Sequence, residues 1–256
     1  MISVDDATSL SQLFHLNSEP WLNEAAYRST PYHHEFWTFA DAARTALPPS
    51  APGAVRSLAS SRSSARAFAP GPLPLTLLAE VVRAAYGIIG LSPMDGGGVF
   101  LRRTVPSAGG MYPLELVLML RRVPGVADGT YHFDPRGEEL ERISADDWTI
   151  AAPGMFYTWP FIEDANCILC LCADFARSQK KYGPRGYRYI LLEAGHVAQN
   201  LCLAAEEAGL ATLCMGGFRD HLLNRALGLK APGQGAVYAV ALGAGARGDD
   251  AAPLTG

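Results

Sequence analysis

The sequence predicts an α+β protein in which helices cover a mixed sheet, and two observations support this fold class. Hydrophobic residues make up 49% of the 256-residue chain and charged residues 18%, which is typical of a folded globule rather than a disordered chain. Apolar runs of strand length also alternate with segments whose apolar residues recur at helical spacing. A chain of this size buries roughly 75% of the surface that its unfolded form exposes, so it needs no disulfide or metal to hold its fold.

Helical spacing is clearest in two segments. Residues 74–86 form an amphipathic pattern that ends at Gly87. Residues 189–209 are apolar on most sides, which indicates a helix buried in a core or at a subunit interface. Residues 10–16, 21–27 and 221–229 have the composition of shorter helices.

Apolar runs predict strands at residues 116–120, 129–135, 140–143, 165–173 and 236–242. Residues 91–98, with a proline and three glycines, predict a loop, and the basic residues 178–189 are typical of a solvated surface loop. Residues 48–53 are rich in proline and predict a linker or turn. We therefore divide the chain into an N-terminal extension, residues 1–54, and a main domain, residues 55–256.

Charge and hydropathy exclude several classes of function. The net charge is −4 and the isoelectric point is near 5.9, which does not match the basic footprint of a nucleic-acid-binding protein. No apolar run is long enough to span a bilayer, and the N-terminus lacks the basic start of a signal peptide. We expect a cytoplasmic protein with no nucleic-acid or membrane partner.

The cysteines could suggest metal or redox chemistry, because Cys167, Cys170 and Cys172 form a Cys-x-x-Cys-x-Cys pattern. They lie in an unbroken apolar run, however, where strand alternation places Cys170 and Cys172 on one face and Cys167 on the other. No second cysteine or histidine pair follows at zinc spacing. We interpret them as small buried apolar residues and predict no metal site.

Two other patterns are rejected. His-His-Glu at residues 33–35 could supply metal ligands, but adjacent histidines do not share a helix face, and a packing or surface role is expected. Residues 243–248 match Gly-x-Gly-x-x-Gly after a strand, yet only eight residues remain beyond this motif. A dinucleotide-binding fold needs a helix and a further strand there, so it is excluded.

The chain is organised around residues 102–115, which read Arg-Arg-Thr-Val-Pro-Ser-Ala-Gly-Gly-Met-Tyr-Pro-Leu-Glu and lead directly into a strand. Adjacent glycines let a backbone approach a flat ligand closely, because no Cβ stands in the way. Prolines keep such a loop stiff. A stiff loop at the start of a strand is a common position for a ligand, although Pro-Ser-Ala-Gly-Gly alone also fits a structural turn.

Arg62 and Arg66 stand four residues apart, with Ser63 and Ser64 between them. This spacing places both arginines on one face of a helix or at one end of a turn. Guanidinium groups bind phosphate oxygens bidentately, and serine hydroxyls add donors. From spacing alone, an ordinary pair of solvated arginines is the preferred interpretation.

The segment from Arg103 to Pro113 resembles the Arg-x-x-Pro-Ser-Ala-Gly-x-x-Tyr-Pro motif of the SagB-type dehydrogenases. These enzymes include the FMN-dependent azoline oxidases and belong to the nitroreductase-like flavoproteins. Three further stretches match in the same order, so the resemblance covers roughly residues 55 to 243. It implies a mixed, mainly antiparallel sheet wrapped by helices, and a homodimer with FMN bound between the subunits.

The resemblance also implies the site residues. The stretch Arg-x-Ser-x-Arg is expected to hold the FMN phosphate and ribityl chain, and Ser63 occupies a position that is often a second basic residue in the family. A Gly-Gly-Phe turn places backbone amides against the flavin ring, and a basic residue near the C-terminal end often reaches the phosphate. The expected FMN-binding residues are Arg62, Ser63, Ser64, Arg66, Pro106, Ser107, Ala108, Gly109, Gly216, Gly217 and Arg247.

Lys181 and Tyr182 match the Lys-Tyr pair that is proposed to abstract a proton in azoline oxidases. The chemistry is reasonable, because a nearby ammonium favours the phenolate form of tyrosine, which can accept a proton. The resemblance therefore implies that these two residues are catalytic.

The implied reaction is the FMN-dependent oxidation of a thiazoline or oxazoline to the aromatic azole, with dioxygen reoxidising the flavin. The substrate would be a peptide, either ribosomal or bound to a peptide synthetase, and a cyclodehydratase or synthetase is an implied partner. Two alternatives remain open: an NAD(P)H-dependent nitroreductase or quinone reductase on the same fold, and a non-catalytic scaffold subunit of a peptide-modifying complex.

Overall fold

The computed structural model describes residues 10–18, 36–93 and 96–245 of the chain. The strands are β1 (Ile88–Pro93), β2 (Val99–Arg103), β3 (Leu114–Leu120), β4 (Gly129–Asp134), β5 (Glu139–Ser144), β6 (Cys167–Asp174), β7 (Ala211–Met215) and β8 (Gln234–Gly243). The helices are α1 (Leu10–Asn17), α2 (Ala54–Ser61), α3 (Leu75–Tyr86), α4 (Trp148–Met155), α5 (Trp159–Ile162), α6 (Phe175–Tyr182), α7 (Arg185–Glu207) and α8 (Asp220–Ala226).

The centre of the fold is a six-stranded sheet in the order β5-β4-β3-β6-β8-β7. All of its neighbouring strands pair antiparallel, and one parallel bridge, Ser64 to Thr212, adds the segment after α2 at the β7 edge. β1 and β2 form a separate antiparallel hairpin. The predicted α+β class, with a mainly antiparallel sheet wrapped by helices, is confirmed.

Strand β6 explains how the sheet separates two apolar layers. Cys167, Leu169 and Leu171 face the cluster built with α3 and α7, whereas Cys170 and Cys172 face the cluster built with α4 and α8. All three cysteines are buried with free thiols, as the alternation predicted. Because β6 is apolar on both faces, it lies in the middle of a three-layer domain.

The predicted loop at residues 178–189 is wrong. Asp174 caps a new helix, α6, by accepting a 3.1 Å hydrogen bond from Ala176 N. Gly183, with a φ of 56°, ends that helix and lets the chain turn directly into α7. Residues 178–189 resembled a loop because they contain few apolar residues. Only one face of α6 is buried. Lys181 and Tyr182 therefore lie in the last turn of a helix.

The predicted loop at residues 91–98 is also wrong in part, since β1 continues to Pro93 and β2 begins at Val99. Five apolar side chains of this hairpin are at least 38% exposed: Ile89, Leu91, Val99, Phe100 and Leu101. The apolar side chains of this hairpin are therefore not buried, unlike those of the central strands.

The division at residue 54 stays a prediction. Helix α1 packs on α6 and α7, where Gln179 Nε2 donates to Ser11 Oγ at 2.6 Å and His15 Nδ1 lies 3.2 Å from the Tyr187 hydroxyl. Residues 36–53 contain no helix or strand. The predicted helix at residues 21–27, the His-His-Glu motif and Arg247 lie outside the described residues. In the part of the chain that the structure describes, no helix is both long and apolar enough to cross a membrane.

Candidate active site

The turn before β3 has a backbone conformation that requires glycine. Gly109 and Gly110 have φ values of 60° and 67°, in the region where a Cβ is disfavoured. Gly110 N donates to the Ser107 carbonyl at 3.1 Å, and Tyr112 N donates to Ser107 Oγ at 2.9 Å. Ser107 thus closes the turn, and Gly109 is left exposed on its outer side.

Lys181 and Tyr182 converge on that exposed glycine. A Cβ added at Gly109 would stand 2.6 Å from Lys181 Nζ and even closer to the Tyr182 hydroxyl. Lys181 Nζ lies 5.3 Å from the centroid of the Tyr182 ring. The fold therefore brings the predicted catalytic pair to the predicted flavin-binding loop, although more than seventy residues separate them in the chain.

Helix α6 is fixed relative to this loop by Arg177. Its guanidinium forms an ion pair of 2.5 Å with Glu115 on β3 and donates to the Tyr112 carbonyl at 3.4 Å. A second ion pair, of 3.5 Å, joins Arg177 to Asp174 at the start of the same helix. These contacts explain why the end of α6, with its lysine and tyrosine, lies against the loop that precedes β3.

Glu115 also contacts His132, whose other ring nitrogen faces Glu141; the two nitrogen–oxygen distances are 3.0 and 2.7 Å. Burial lowers the pKa of His132, but the hydrogen bonds to both carboxylates outweigh it and raise the pKa above its ordinary value. Burial raises the pKa of Glu115, but His132 and Arg177 outweigh it and lower the pKa overall. The charged cluster therefore stabilises the fold most between pH 4.5 and 6.5, which are the ordinary pKa values of glutamate and histidine.

The expected result is a pH-dependent stability. A raised histidine pKa contributes stability that is present below pH 6.5 and is lost as the pH rises through the folded-state value. We expect the free energy of unfolding to fall between about pH 6 and 8, and His132→Gln to flatten that fall. Urea unfolding at a series of pH values measures it. An equally steep fall in His132→Gln would contradict this assignment.

A cavity of about 900 Å³ opens beside the glycine turn. Its walls come from Pro93 and Phe100 in the β1–β2 hairpin, from residues 102–107 and from residues 109–112. Ligand sites commonly have volumes of roughly 300–1,000 Å³. The loop that the sequence singled out therefore forms the wall of a cavity large enough for a small molecule.

The arginine cluster lies at the edge of β7. Ala65 N donates to the Thr212 carbonyl at 2.8 Å, which attaches this segment to the sheet. Arg62 Nη1 is 3.5 Å from Ser64 Oγ, and Arg66 Nη1 contacts the carbonyls of Ser64 and Ala65. Within the described ranges neither guanidinium forms a salt bridge, so both are available to an anion. Ser63 is half-buried beside them.

Gly216 and Gly217 follow β7 directly and form the predicted turn. Gly217 accepts a hydrogen bond of 3.4 Å from Tyr157 N, and Phe218 pairs with Phe156 in an isolated bridge. Gly216 is exposed, and an added Cβ would meet nothing within 4 Å. The exposed backbone of this turn is open to a ligand.

The described part of the chain shows no contact between the arginine cluster and the Lys181–Tyr182 pair. Helix α7 contacts both regions. Glu193 accepts a hydrogen bond from Tyr86, whose ring packs against Tyr112 of the glycine turn. Cys202 lies 3.6 Å from the hydroxyl of Thr212, the residue that pairs with Ser64. Nine residues of helix correspond to about 13.5 Å. The two halves of the predicted site thus lie at separate places along α7.

Sequence reasoning missed Glu193 and Tyr86, which lie behind the glycine turn. Glu193 is 3% exposed and accepts a 2.6 Å hydrogen bond from the Tyr86 hydroxyl. The available signal was that Glu193 is the one acidic residue between Arg185 and Ala205 in an apolar helix. An acid in such a position is rarely buried without a specific partner.

The residues present fit FMN on two independent grounds. Gly216 is exposed and an added Cβ there would meet nothing within 4 Å, so a flat ring can approach the backbone of this turn. The guanidiniums of Arg62 and Arg66, with Ser64 between them, supply cations and a hydroxyl for a phosphate. Arg247 lies outside the described residues, so its expected contact stays a prediction.

Residues 59–244 match the model of the Nitroreductase family, which is more than half of the chain. The chain belongs to the nitroreductase family. It is 36% identical over 169 residues to a Methanocaldococcus jannaschii protein named "Putative nitroreductase MJ1384", covering 66% of this chain and 81% of that protein. Membership in this family supports an FMN-type oxidoreductase.

Two peptide-processing proteins are also similar to this nitroreductase family member. The Microcin B17-processing protein McbC of Escherichia coli is 29% identical over 147 residues, which cover 54% of this chain and 52% of McbC. The Trifolitoxin-processing protein TfxB of Rhizobium leguminosarum bv. trifolii is 26% identical over 155 residues, covering 55% of this chain and 39% of TfxB. The chain thus aligns with about half or less of each.

Solved structures support the nitroreductase fold. The crystal structure of a putative nitroreductase from Ralstonia eutropha has a TM-score of 0.60 and 25% identity, covering 82% of this chain and 90% of that one. An E. coli structure of the microcin synthetase McbBCD complex with truncated pro-MccB17 has a TM-score of 0.57 at 20% identity, covering 94% of this chain and 84% of that one. The structure of a putative nitroreductase from Desulfovibrio desulfuricans in complex with FMN has a TM-score of 0.53 at 15% identity, covering 80% of this chain and 94% of that one.

Proposed function

We propose that this protein is an FMN-dependent azoline oxidase of the SagB type, which converts a thiazoline or oxazoline in a peptide to the aromatic azole. The observation that carries the proposal is the convergence of Lys181 Nζ and the Tyr182 hydroxyl on Gly109. An acid–base pair beside an open backbone turn and a cavity of about 900 Å³ suits proton removal from a bound ring.

The two side chains divide the acid–base work. Tyr182 is half-buried and Lys181 is exposed, so both side chains are accessible to a bound substrate. Tyr182 would act as the general base that takes the carbon-bound proton of the azoline ring, with the ammonium of Lys181 beside its ring. The chemistry that FMN supplies when bound is acceptance of the hydride, with dioxygen as the final oxidant.

The cofactor would be held at both ends. Arg62, Ser64 and Arg66 would bind the phosphate and ribityl chain, because their donors have few partners in the described chain. Backbone amides at Gly216 and Gly217 would face the ring, where they can stabilise developing negative charge. Arg247 would add a further contact to the phosphate.

The similarity to McbC and TfxB supports a peptide substrate, since both are named as processing proteins of peptide products. The fold likeness to the McbBCD complex is compatible with a partner that makes the azoline ring, such as a cyclodehydratase. A peptide synthetase that presents its bound peptide is the other candidate partner.

A homodimer would complete the site. The two halves lie at separate places along α7, and one face of that helix is exposed at Leu191, Leu192 and Gly195. A Cβ at Gly195 would meet nothing within 4 Å, so another helix can approach closely there. A second copy packed on this face would cover the apolar side chains and bring its own half-site to the first.

The second candidate is an NAD(P)H-dependent nitroreductase or quinone reductase, which the similarity to MJ1384 favours. Steady-state oxidation of NADPH with a quinone or nitroarene, together with no turnover of azoline peptides, would establish it. The Lys181–Tyr182 pair at Gly109 favours the oxidase, because a hydride-accepting reductase needs no residue that removes a carbon-bound proton.

Tyr182→Phe tests the oxidase directly. We expect azole formation to fall by about 100- to 10,000-fold, the usual contribution of a general base, while FMN stays bound. Tyr189→Phe is the matched control, because the Tyr189 ring packs edge-on against Tyr182 at 5.0 Å. Azole formation at an unchanged rate in Tyr182→Phe, with the flavin fully loaded, would exclude the proposed base.

A further inference from the structure

Glu193 is a buried acid to which the proposed reaction gives no role. It lies on α7 and is 3% exposed. Burial raises the pKa of Glu193, while the hydrogen bond from Tyr86 and the positive charge of Arg103 oppose that rise. A buried carboxylate is costly unless it is hydrogen-bonded. Its partner here is the Tyr86 hydroxyl at 2.6 Å, and the Tyr86 ring packs against Tyr112 of the glycine turn.

Arg103 forms the second part of this network. Its guanidinium lies 4.1 Å from the centroid of the Tyr86 ring and 5.3 Å from that of Tyr112. Arg103 Nη1 donates to the Tyr86 carbonyl at 3.2 Å, and Arg103 N donates to the Tyr112 hydroxyl at 3.1 Å. The cation therefore lies against two aromatic rings, whose planes are 69° apart, in the wall of the cavity, and Glu193 supplies a negative charge to the same network.

Tyr86 and Tyr112 connect the network to the turn itself. The Tyr86 ring packs edge-on against that of Tyr112 with centroids 6.2 Å apart, and Tyr112 N donates to Ser107 Oγ at 2.9 Å. Asn200, two turns further along α7, donates to the carbonyls of Thr104 and Ala84. Helix α7 thus supports the segment 103–112 at two places, through Asn200 directly and through Glu193 by way of Tyr86.

We propose that Glu193 is a positioning residue, which holds Tyr86 and through it Arg103 and Tyr112, and thereby fixes Gly109 at the distance that Tyr182 and the flavin require. This inference rests on the proposed function of the turn. Reacting groups must be held within a fraction of an ångström, and a 1 Å displacement costs about 100-fold in rate. A rigid acid behind the turn supplies that precision without touching the substrate.

Glu193→Gln is the informative variant, because the amide keeps the size of the side chain and can still accept a hydrogen bond from Tyr86. It removes the charge opposite Arg103. We expect kcat for azoline oxidation to fall about 10- to 100-fold with KM nearly unchanged. We also expect the amides of residues 104–112 to exchange with solvent on the order of 10-fold faster in the flavin-loaded protein. Glu207→Gln, an exposed acid on the same helix, is the matched control.

A double-mutant cycle with Tyr86→Phe, which removes the hydroxyl that donates to Glu193, adds a measurement that a general loss of stability would not reproduce. If Glu193 acts through Tyr86, the two kcat losses combine to much less than their product. Additive losses, or a lower melting temperature with unchanged exchange at 104–112, would overturn the proposal. If the wild-type protein oxidises no azoline but Glu193→Gln still loosens residues 104–112, the positioning role stands and the proposed reaction is wrong.

Discussion

Replacing Gly109 with alanine is expected to lower the azoline-oxidation rate by about 100-fold while the protein stays folded. The new Cβ would occupy the space next to Lys181 Nζ, 2.6 Å away, and would collide with the Tyr182 hydroxyl. Both atoms are the ends of side chains, so they can move aside without disturbing the backbone. That movement takes the proposed base and its ammonium away from the turn. Stopped-flow reduction of the flavin by an azoline peptide measures the effect.

Gly110→Ala is the matched control for this variant. Gly110 has nearly the same φ, 67° against 60°, so alanine introduces a similar backbone strain at both positions. Its Cβ, however, would meet only Phe100 Cδ2 at 3.6 Å, an ordinary contact. Equal rates in the two variants, at equal flavin content, would show that Lys181 and Tyr182 do not act at Gly109.

Replacing Arg62 with alanine is expected to weaken FMN binding by about 10- to 100-fold. A hydrogen bond to a charged group contributes roughly 1.5–3 kcal/mol, and each 1.4 kcal/mol is about tenfold in affinity. Arg62 lies beside Ser64 at the β7 edge and forms no salt bridge within the described residues. Its removal therefore leaves no carboxylate without its partner. Fluorescence titration of the apoprotein with FMN measures the change.

Arg56→Ala is the control for Arg62→Ala. Arg56 lies on α2, the helix that ends just before Arg62, but its guanidinium donates to the Ser50 side chain and carbonyl. We expect its FMN affinity to match the wild type, whereas Arg66→Ala should resemble Arg62→Ala. Unchanged affinity in both Arg62→Ala and Arg66→Ala would place the phosphate elsewhere.

Local pattern predicted most of the fold. The apolar run at residues 165–173 became β6 with its cysteines on the expected faces, and the helix that ends at Gly87 is α3. Periodicity succeeds in these segments because one or both faces are buried. It failed at residues 178–189, where Asp174 and Gly183 define α6 by capping rather than by an apolar stripe.

Only part of the candidate site was predictable, because sequence patterns report local features and not contacts between distant residues. Short motifs with a distinctive composition, such as Pro-Ser-Ala-Gly-Gly, were visible in the chain and proved to line a cavity. Glu193 carries no motif, and its importance follows from its hydrogen bond with Tyr86, which lies far away in sequence.

The α+β class, the central strands and the residue types suited to flavin and proton chemistry were predictable from the sequence, because they depend on local periodicity and on functional groups. The approach of Lys181 and Tyr182 to Gly109, and the hydrogen bond between Tyr86 and Glu193, became visible only in the folded chain. Such contacts depend on how β3, α6 and α7 pack against one another. Packing geometry is set by the summed shape of many side chains, and no short stretch of sequence records it.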